Sequence, residues 1–537
     1  MQIWNGWGDE HVIMGVAPGA GDLLRDRIGK GMRPKDVLLE EALARVPDSR
    51  LPDHPLITKD KKERLTHSHG QSLPDWIALR QGGLERFPDG VAFPTTAQEV
   101  EALLGLASER DIVIIPYGGG TSVVGHLTVP ATDRPVLSLS LERLNRLVSM
   151  DPRSRLAVFE AGVRGPDLEA QLRAHGFTLG HYPQSFEYAT LGGWVATRSS
   201  GQQSSHYGSI ESLFAGGEMV TLRGPLTCPP FPASAAGPDL RHLILGSEGR
   251  LGILVKAVVR VSPLPERDEV WTVFFPSWER GIEAVQSLAG AGVRCSMIRL
   301  SNPMETVTQL VLAGRERMIT LLKRYLGFRH IRDGQGCMCL IGFIGSRRQV
   351  ACARRPAFSI FRKYRGVSVG RSMGEAWKRH RFKAPYLRNA LWNMGYAVDT
   401  VETAVTWDQV PAAIGGLEAA IGGTLAPWDE RVHLFTHLSH VYPTGSSIYT
   451  TFLFRIADTP EETLARWRAI KASASRAIVA NHGTISHQHG IGLDHRVYLG
   501  AEKGPLGMDI LRQTFAHMDP EHRMNPGKLV GGQDDAI

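Results

Sequence analysis

A run of β-branched residues that leads into a glycine-rich loop constrains this chain more than any other feature. Residues 112–126 read Ile-Val-Ile-Ile-Pro-Tyr-Gly-Gly-Gly-Thr-Ser-Val-Val-Gly-His. The β-branched run predicts a buried strand, and we expect Pro116 to end it. The glycines at 118–120 let the backbone turn through conformations that side chains forbid. With Thr121 and Ser122 beside them, they can direct N–H groups and hydroxyls at a phosphate.

The loop differs from the best-known phosphate-binding motifs. It lacks the glycine spacing of the dinucleotide fingerprint, and no Lys follows its last glycine as in a Walker loop. Taken alone, the loop is equally compatible with a flexible turn.

Three more clusters of glycines and hydroxyl side chains follow, at residues 180–193, 197–208 and 245–254. Each alone reads as a surface loop. Together they indicate one extended ligand held between backbone segments, with a diphosphate and a polar ring system to satisfy.

The intervening segments alternate between strand and helix patterns. Thr96 is a candidate N-cap, because Val100, Leu103, Leu104 and Ala107 follow it at helical spacing. Strands are predicted at 136–140, 156–160 and 255–261, and helices at 73–81 and 167–175. This alternation favours an α+β or α/β domain.

Changes in composition and in secondary-structure pattern divide the chain into four parts. We predict an N-terminal extension (1–90), a ligand-binding domain (91–265), a cap and substrate domain (266–480) and a C-terminal segment (481–537). In the cap, strands are expected at 270–275, 432–441 and 448–456, and a helix around 280–288. The basic tract 347–383 is predicted to be a less regular, solvated face.

Residues 116–123, 190–193 and 246–252 resemble the FAD-binding domain of the vanillyl-alcohol-oxidase type, also called the PCMH type. The resemblance implies an α+β fold in which two α+β subdomains hold FAD and an α+β cap covers the flavin. We predict non-covalent FAD because no His or Cys stands at an obviously required attachment point, although His126 stays open as one. The cofactor-binding residues that it implies are Pro116, Tyr117, Gly118, Gly119, Gly120, Thr121, Ser122, Gln184, Ser185, Phe186, Glu187, Tyr188, Ala189, Thr190, Thr197, Arg198, Ser199, Ser200, Glu248, Gly249, Arg250, Leu251, Gly252, Ile253 and Leu254.

Motifs along the whole chain resemble the alkyldihydroxyacetone-phosphate synthases more narrowly. They are Trp4-Asn-Gly-Trp-Gly8, His181-Tyr-Pro-Gln-Ser185, Ile298-Arg-Leu300, Tyr386-Leu-Arg388, Glu402-Thr403, Ser447-Ile-Tyr449 and His487-Gln-His489. The resemblance implies that a fatty alcohol replaces the acyl group of acyl-dihydroxyacetone phosphate, in a step of ether-lipid synthesis. It also implies that the substrate carbon is held at the flavin N5 without net redox chemistry.

Five residues take roles from this resemblance. Arg388 would bind the substrate phosphate, for which a permanently charged guanidinium is suited. Tyr449 would be the acid–base group, and Arg299 would lie near the flavin. His487 and His489, two apart, would face one side if extended and would polarise the flavin or move a proton.

The chain departs from the synthases at two points. Gln488 stands where they have a third histidine, and the ending Asn525-Pro-Gly-Lys-Leu is more like that of the broader flavin family.

The alternative is a flavin-linked D-2-hydroxyacid dehydrogenase that acts on D-lactate or D-2-hydroxyglutarate. Such enzymes carry a Glu before the final His-Gly as a metal ligand, whereas this chain has Gln488. A neutral amide is a poor substitute for that carboxylate, so no metal is predicted, although His437, His440 and His489 could gather. A third alternative, an inactive flavoprotein, predicts loss of Arg388 or Tyr449, and both are present.

Composition limits the remaining possibilities. The 537 residues carry a net charge of +7 without a long basic block, which does not favour nucleic-acid binding. Five cysteines are too few for a disulfide scaffold. With no signal peptide, no long apolar run and no peroxisomal signal in Asp-Asp-Ala-Ile537, we expect a cytoplasmic protein. The resemblance implies a membrane-associated homodimer, but no strongly amphipathic helix is evident in the sequence.

Overall fold

A computed structural model describes residues 2–531, so the C-terminal tetrapeptide discussed above lies outside the described residues. The N-terminal extension is mainly helical, and one short strand attaches it to the next domain. Its elements are α1 (Pro18–Ile28), α2 (Leu39–Ala44), β1 (Ile57–Thr58), α3 (Lys61–Thr66) and α4 (Leu73–Gln81). The predicted helix 73–81 is confirmed. Ser72 caps it by accepting a hydrogen bond from the N–H of Asp75.

A small sheet carries the glycine loop. Its elements are β2 (Gly90–Ala92), α5 (Ala97–Glu109), β3 (Val113–Tyr117) and β4 (Val136–Ser140), in the strand order β1-β2-β4-β3. Thr96 caps α5 as predicted. The prediction that Pro116 ends its strand is wrong, because β3 continues to Tyr117. Since β3 is an edge strand, a residue without an N–H donor is tolerated there.

A second, antiparallel sheet with the order β5-β6-β10-β8-β9 follows. The cores of both subdomains are formed by the inward faces of these sheets and by α5 and α7. The elements are β5 (Leu147–Asp151), β6 (Leu156–Glu160), α6 (Gly165–Ala174), β7 (Phe177–Thr178), α7 (Leu191–Thr197), α8 (Ser204–Tyr207), α9 (Ile210–Leu213), β8 (Phe214–Thr221), β9 (Gly224–Cys228), α10 (Arg241–Ile244), β10 (Ile253–Arg260) and β11 (Ser262–Pro263).

The following region is built on one antiparallel sheet of seven described strands, in the order β15-β12-β14-β13-β17-β18-β16. Its elements are β12 (Arg267–Phe275), α11 (Trp278–Gly290), β13 (Met297–Ser301), α12 (Pro303–Leu312), α13 (Glu316–Phe328), β14 (Cys337–Gly345), α14 (Arg347–Lys363), β15 (Val367–Gly370), α15 (Ser372–His380), α16 (Leu387–Asn393), β16 (Tyr396–Thr406), α17 (Val410–Gly423), β17 (His433–Val441), β18 (Gly445–Arg455) and α18 (Pro460–Ala480).

Two predictions for this region are wrong. The tract 347–383 is not irregular, because α14 and α15 occupy most of it, and Ser346 and Gln349 form a capping box at the start of α14. A strongly amphipathic helix does exist: Met318, Leu321, Tyr325 and Phe328 lie on one exposed face of α13. These apolar residues point outward and not into the core.

The last described segment returns to the first sheet after α19 (Leu499–Met518). The N–H of Ile114 donates to the carbonyl of Arg523, and the N–H of Asn525 donates to the carbonyl of Ile114. The C-terminal Asn-Pro-Gly motif therefore lies beside the strand that carries the glycine loop. None of the helices between residues 2 and 531 is both long and apolar enough to span a bilayer.

Candidate active site

The glycine loops converge on one cavity of about 960 Å³, which is lined by Gly119, Gly192 and Gly249 among others. Their contacts explain why side chains are absent. A Cβ at Gly119 would overlap the carbonyl of Tyr188, and one at Gly249 would lie 2.8 Å from the ring of Pro116. The loops therefore pack backbone to backbone, which leaves N–H groups and small side chains facing a ligand.

Most of the residues predicted to bind FAD line this cavity. They are Pro116, Tyr117, Gly118, Gly119, Gly120, Thr121, Ser122, Gln184, Ser185, Ala189, Thr190, Thr197, Ser199, Ser200, Glu248, Gly249, Gly252, Ile253 and Leu254. Ser200 Oγ and Gln488 Oε1 are buried without a hydrogen-bond partner among the described residues, as expected where a polar ligand completes a site. The donor set and the shape of the cradle thus fit a flavin nucleotide.

Six predicted cofactor residues do not line the cavity and instead contact other parts of the protein. Phe186 stacks on Phe382, Glu187 pairs with Lys383, and Tyr188 packs edge-on against Trp7. Arg198 pairs with Glu211, Arg250 donates to the carbonyl of Asn525, and Leu251 is in the core. Val195, Ala196 and Asn525 also line the cavity, although they were not predicted as cofactor residues.

His126 lies between Ser122 and Glu248, and its Nδ1 has a hydrogen-bond partner. Its Nδ1 lies 2.7 Å from Ser122 Oγ, and its Nε2 lies 3.0 Å from Glu248 Oε2. The same Glu248 carboxylate accepts hydrogen bonds from the N–H groups of Ile491 and Gly492. The Glu248 carboxylate thus joins the 245–254 loop to the C-terminal histidine segment, and non-covalent binding of FAD stays a prediction.

Arg388 is at the start of α16 and lines the cavity. Its Nη1 donates to the carbonyl of Gln71, and the guanidinium lies over the ring of Trp76, 4.2 Å from its centroid. Nε and Nη2 are buried and have no hydrogen-bond partner among residues 2–531. Burial lowers the pKa of Arg388 to about 10, so the group remains charged at neutral pH. A buried charge with two free donors indicates an anionic ligand.

Tyr449 lies on β18 with its ring between two histidines. The ring of His437 stacks on it at 4.9 Å and 27°, and the ring of His489 approaches its edge at 5.8 Å and 78°. The hydroxyl donates to Thr400 Oγ1 at 3.2 Å. Burial raises the pKa of Tyr449 well above its usual value, so the phenol is neutral and can act as a proton donor.

Glu402 fixes the histidine segment against Tyr449. It is the register partner of Tyr449 on β16 and is only 4% exposed. Its Oε1 accepts from the N–H groups of Gln488 and His489, at 2.7 Å each, and lies 3.4 Å from the Nδ1 of His489. Glu402 was predicted only as part of a motif, because no local pattern discloses its contact with a segment so distant in the chain.

The two predicted histidines do not share one side of an extended segment. Residues 481–492 form turns, so the two-residue spacing does not place both side chains on one side as it would in a strand. His489 lines the cavity, whereas His487 is not among the lining residues; its Nε2 lies 2.7 Å from the hydroxyl of Tyr442, and its ring packs on that of His440. Burial lowers the pKa of His487.

Arg299 on β13 also lines the cavity, as predicted for a residue near the flavin. It forms an ion pair with Glu305 at 2.6 Å, and Glu305 is 1% exposed. Among the described residues, no group of three or more His, Cys, Asp or Glu side chains has an arrangement that could hold a metal ion.

Comparisons with known proteins agree with this geometry. Residues 88–227 match the FAD binding domain family, and residues 264–529 match the family described as FAD linked oxidases, C-terminal domain. The chain is 33% identical to alkyldihydroxyacetonephosphate synthase of Dictyostelium discoideum over 89% of this chain and 79% of that protein. It is 29% identical to the synthase of Trypanosoma brucei brucei, over 98% and 92% of the two chains.

One solved structure is similar over nearly the whole chain, and a dehydrogenase is less similar in sequence. A solved alkyldihydroxyacetonephosphate synthase superposes with a TM-score of 0.83 and 27% identity, covering 98% of each chain. A cytochrome-linked D-lactate dehydrogenase of Arabidopsis thaliana is more distant, at 24% identity over 88% of this chain and 78% of that protein. The predicted α+β, PCMH-type fold and the FAD cofactor are confirmed, and the chain belongs to the alkyldihydroxyacetonephosphate synthase family of FAD-binding proteins.

Proposed function

We propose that the protein is an FAD-dependent synthase that exchanges the acyl chain of acyl-dihydroxyacetone phosphate for a fatty alcohol. One observation carries the proposal: Arg388, a buried cation with free donors, and Tyr449, a neutral phenol, line the same cavity as the flavin cradle. The substrate has a matching arrangement, with a phosphate, a reacting carbon and an alkyl chain.

The phosphate is assigned to Arg388. The free Nε and Nη2 atoms form the fork that binds two oxygens of one phosphate. Trp76 and the carbonyl of Gln71 hold the guanidinium in place. This fixes one end of the substrate relative to the cradle and leaves the carbon chain to extend elsewhere.

The chain is assigned to an apolar part of the cavity above β17 and β18. On the face of the sheet that carries His437 and Tyr449, the next register pair is Phe435 and Thr451, and the one after that is His433 and Leu453. At about 3.4 Å per residue, the last pair lies roughly 14 Å along the strands from His437 and Tyr449. Helices α1 and α12 cover this stretch with Leu23, Leu24, Leu310 and Leu312.

Proton transfer is assigned to Tyr449 and His489. The incoming alcohol loses a proton and the acyl group leaves as a carboxylate, so the site needs an acid–base group beside the reacting carbon. When bound, FAD supplies an electron-accepting ring next to these residues, with no net oxidation or reduction over the exchange. Glu402 orients His489 for this task.

We further propose that α13 contacts a membrane surface. Met318, Leu321, Tyr325 and Phe328 are 51%, 64%, 43% and 82% exposed. Exposed basic side chains flank this strip, namely Arg317, Arg324 and Arg329. Met318 and the neighbouring Leu312 also line the cavity, so the strip adjoins an opening through which a lipid can pass. Apolar and basic residues together suit an anionic bilayer surface.

Two further predictions remain proposals. Leu506 and Ile510 on α19 are 74% and 58% exposed, and they offer an apolar contact for a homodimer, which light scattering measures. A cytoplasmic location accords with five free cysteines, four of them buried. Fractionation of the native cells tests that location.

A substrate panel tests the proposed function. The FAD-loaded protein is incubated with acyl-dihydroxyacetone phosphate and hexadecanol, and in parallel with D-lactate or D-2-hydroxyglutarate and an electron-accepting dye. We expect the alkyl product and no dye reduction. Brisk dye reduction without an alkyl product would favour the dehydrogenase alternative instead.

A further inference from the structure

His437 is a buried cavity residue to which the sequence motifs give no role in catalysis. It lies on β17 opposite Tyr449, and the two rings stack, so both side chains project from the same face of the sheet. The histidine is 3% exposed and lines the cavity. Its ring tip therefore points toward the same space as the phenol.

The other side of the imidazole meets a buried ion pair. Nδ1 of His437 lies 3.2 Å from Glu305 Oε1 and 3.2 Å from Nη2 of Arg299. A guanidinium only donates and a carboxylate only accepts. When Nδ1 carries the proton it donates to Glu305, and Nε2 is left as a bare acceptor toward the cavity. When Nδ1 is bare it accepts from Arg299, and Nε2 carries the proton.

A helix cap and a neighbouring amide hold Glu305 in this position. Asn302 caps α12, which sets Glu305 in the first turn, and Gln309 on the next turn donates to Glu305 Oε1 at 2.9 Å. Glu305 Oε2 and Nε of Arg299 are buried without a partner among residues 2–531. Incompletely satisfied charges beside a cavity are characteristic of functional sites and not of cores built for stability.

We propose that His437 is a second acid–base group of the exchange, with Glu305 holding it as the Nδ1–H tautomer. The proposal rests on the proposed function. As the alcohol oxygen bonds to the substrate carbon, its proton moves to Nε2 of His437. The acyl group leaves as a carboxylate with the electron pair of its carbon–oxygen bond, so the proton on His437 is the surplus of the turnover and passes to water with product release.

The environments of the two rings support opposite roles. Burial raises the pKa of Tyr449, so it stays a proton donor, while burial and the charge of Arg299 lower the pKa of His437 against the pull of Glu305. The histidine is then neutral at pH 7 and can accept a proton. Groups pushed apart in this way form acid–base pairs.

His437→Gln and Glu305→Gln test the proposal, with Glu418→Gln as the matched control. Glu418 is a neighbouring carboxylate that accepts from Thr436 and Asn302 but is not among the cavity-lining residues. We expect His437→Gln to lower kcat at least about 100-fold, within the range for a lost general base, while FAD content and melting temperature stay near wild type. Glu418→Gln keeps near-normal kcat.

The pH profile separates a chemical role from a structural one. The charged or titratable groups around His437 are Arg299 from β13, Glu305 from α12, Tyr449 from β18 and His440 on its own strand. Loss of the Glu305 charge destabilises the imidazolium, so we expect the acid limb of kcat to move to lower pH in Glu305→Gln and to disappear in His437→Gln.

Wild-type exchange is measured first, because its absence would overturn the proposed function and this inference with it. If the wild type is active, near-normal kcat in His437→Gln would overturn the inference alone, as would an unchanged acid limb in Glu305→Gln. If His437→Gln loses FAD, the pH profile of Glu305→Gln alone decides. A shift of its acid limb to lower pH supports the inference, and an unchanged acid limb overturns it.

Discussion

Asn389 and Trp7 exchange two hydrogen bonds across almost the whole chain. The N–H of Trp7 donates to Asn389 Oδ1 at 3.1 Å, and Asn389 Nδ2 donates to the carbonyl of Trp7 at 2.8 Å. The ring of Tyr386 fills the space beside Gly8, where a side chain would overlap it. The N-terminal Trp-Asn-Gly-Trp-Gly motif thus fastens the start of α16, and with it Arg388.

This relationship predicts that Asn389→Leu weakens substrate binding without touching the substrate. Two partly buried hydrogen bonds are lost, at about 1–3 kcal/mol of stability in total, and Arg388 is held less firmly. We expect a raised KM for acyl-dihydroxyacetone phosphate with a smaller change in kcat, measured by steady-state kinetics. An unchanged KM would show that the motif does not position Arg388.

Arg388→Lys is expected to raise KM at least about tenfold, because an ammonium cannot reproduce the bidentate fork. FAD content should not change, since Arg388 is not part of the cradle. Arg348→Lys on α14 serves as the control. Equal KM values for Arg388→Lys and wild type would remove the phosphate assignment.

Tyr449→Phe removes the phenol but keeps the ring between His437 and His489. We expect kcat to fall by about 100-fold or more, with FAD retained and the visible flavin spectrum preserved. Tyr325→Phe, on the exposed face of α13, provides a comparison that leaves kcat unchanged. Substantial exchange by Tyr449→Phe would exclude the phenol as the acid–base group.

We expect Asp494 to make the stability of the folded protein depend on pH. Its Oδ2 is buried without a partner among the described residues, and burial raises the pKa of the carboxyl to about 7. Because the pKa of Asp494 is raised in the folded state, its contribution to the free energy of unfolding is fully present below the unfolded pKa near 3.8. That contribution is lost as pH rises through about 7.

Asp494→Asn removes this ionisation. We expect the variant to be more stable than wild type at pH 8, by on the order of 1–4 kcal/mol, and to lose that advantage at pH 4. Melting temperatures of the FAD-loaded proteins across this range are the measurement. A constant difference between the two proteins at all pH values would contradict the expectation.

Leu321→Glu combined with Phe328→Glu tests the membrane surface. The charges make insertion of α13 unfavourable, so we expect reduced co-sedimentation with anionic vesicles but unchanged exchange of detergent-dispersed substrates. Phe231→Glu, at a residue that is 61% exposed and lies outside α13, should sediment like wild type. Undiminished vesicle binding by the double variant would exclude this face.

Sequence patterns predicted the elements whose signals are local. Strands 136–140 and 156–160 and helix 73–81 have the predicted bounds, because strand and helix patterns depend on neighbouring residues alone. Helices α14 and α15 escaped prediction because their basic residues hide the apolar periodicity. Helix α13 was not predicted either, and its apolar stripe faces outward.

The same distinction holds within the site. The glycine loops are recognisable from neighbouring residues alone, because backbone conformation is a local requirement. Glu305, His437 and Glu402 have no such signature, since strand register and a helix cap bring them to Tyr449 from distant parts of the chain.

Incorporation of radiolabelled hexadecanol by the FAD-loaded protein tests the central claim most directly. If the cavity unites a phosphate-binding guanidinium, a phenol and a flavin for alkyl exchange, label will appear in an ether-linked dihydroxyacetone phosphate at the rate at which free fatty acid is released. Release of fatty acid without incorporation of label, or neither event in the presence of bound FAD, would contradict the account.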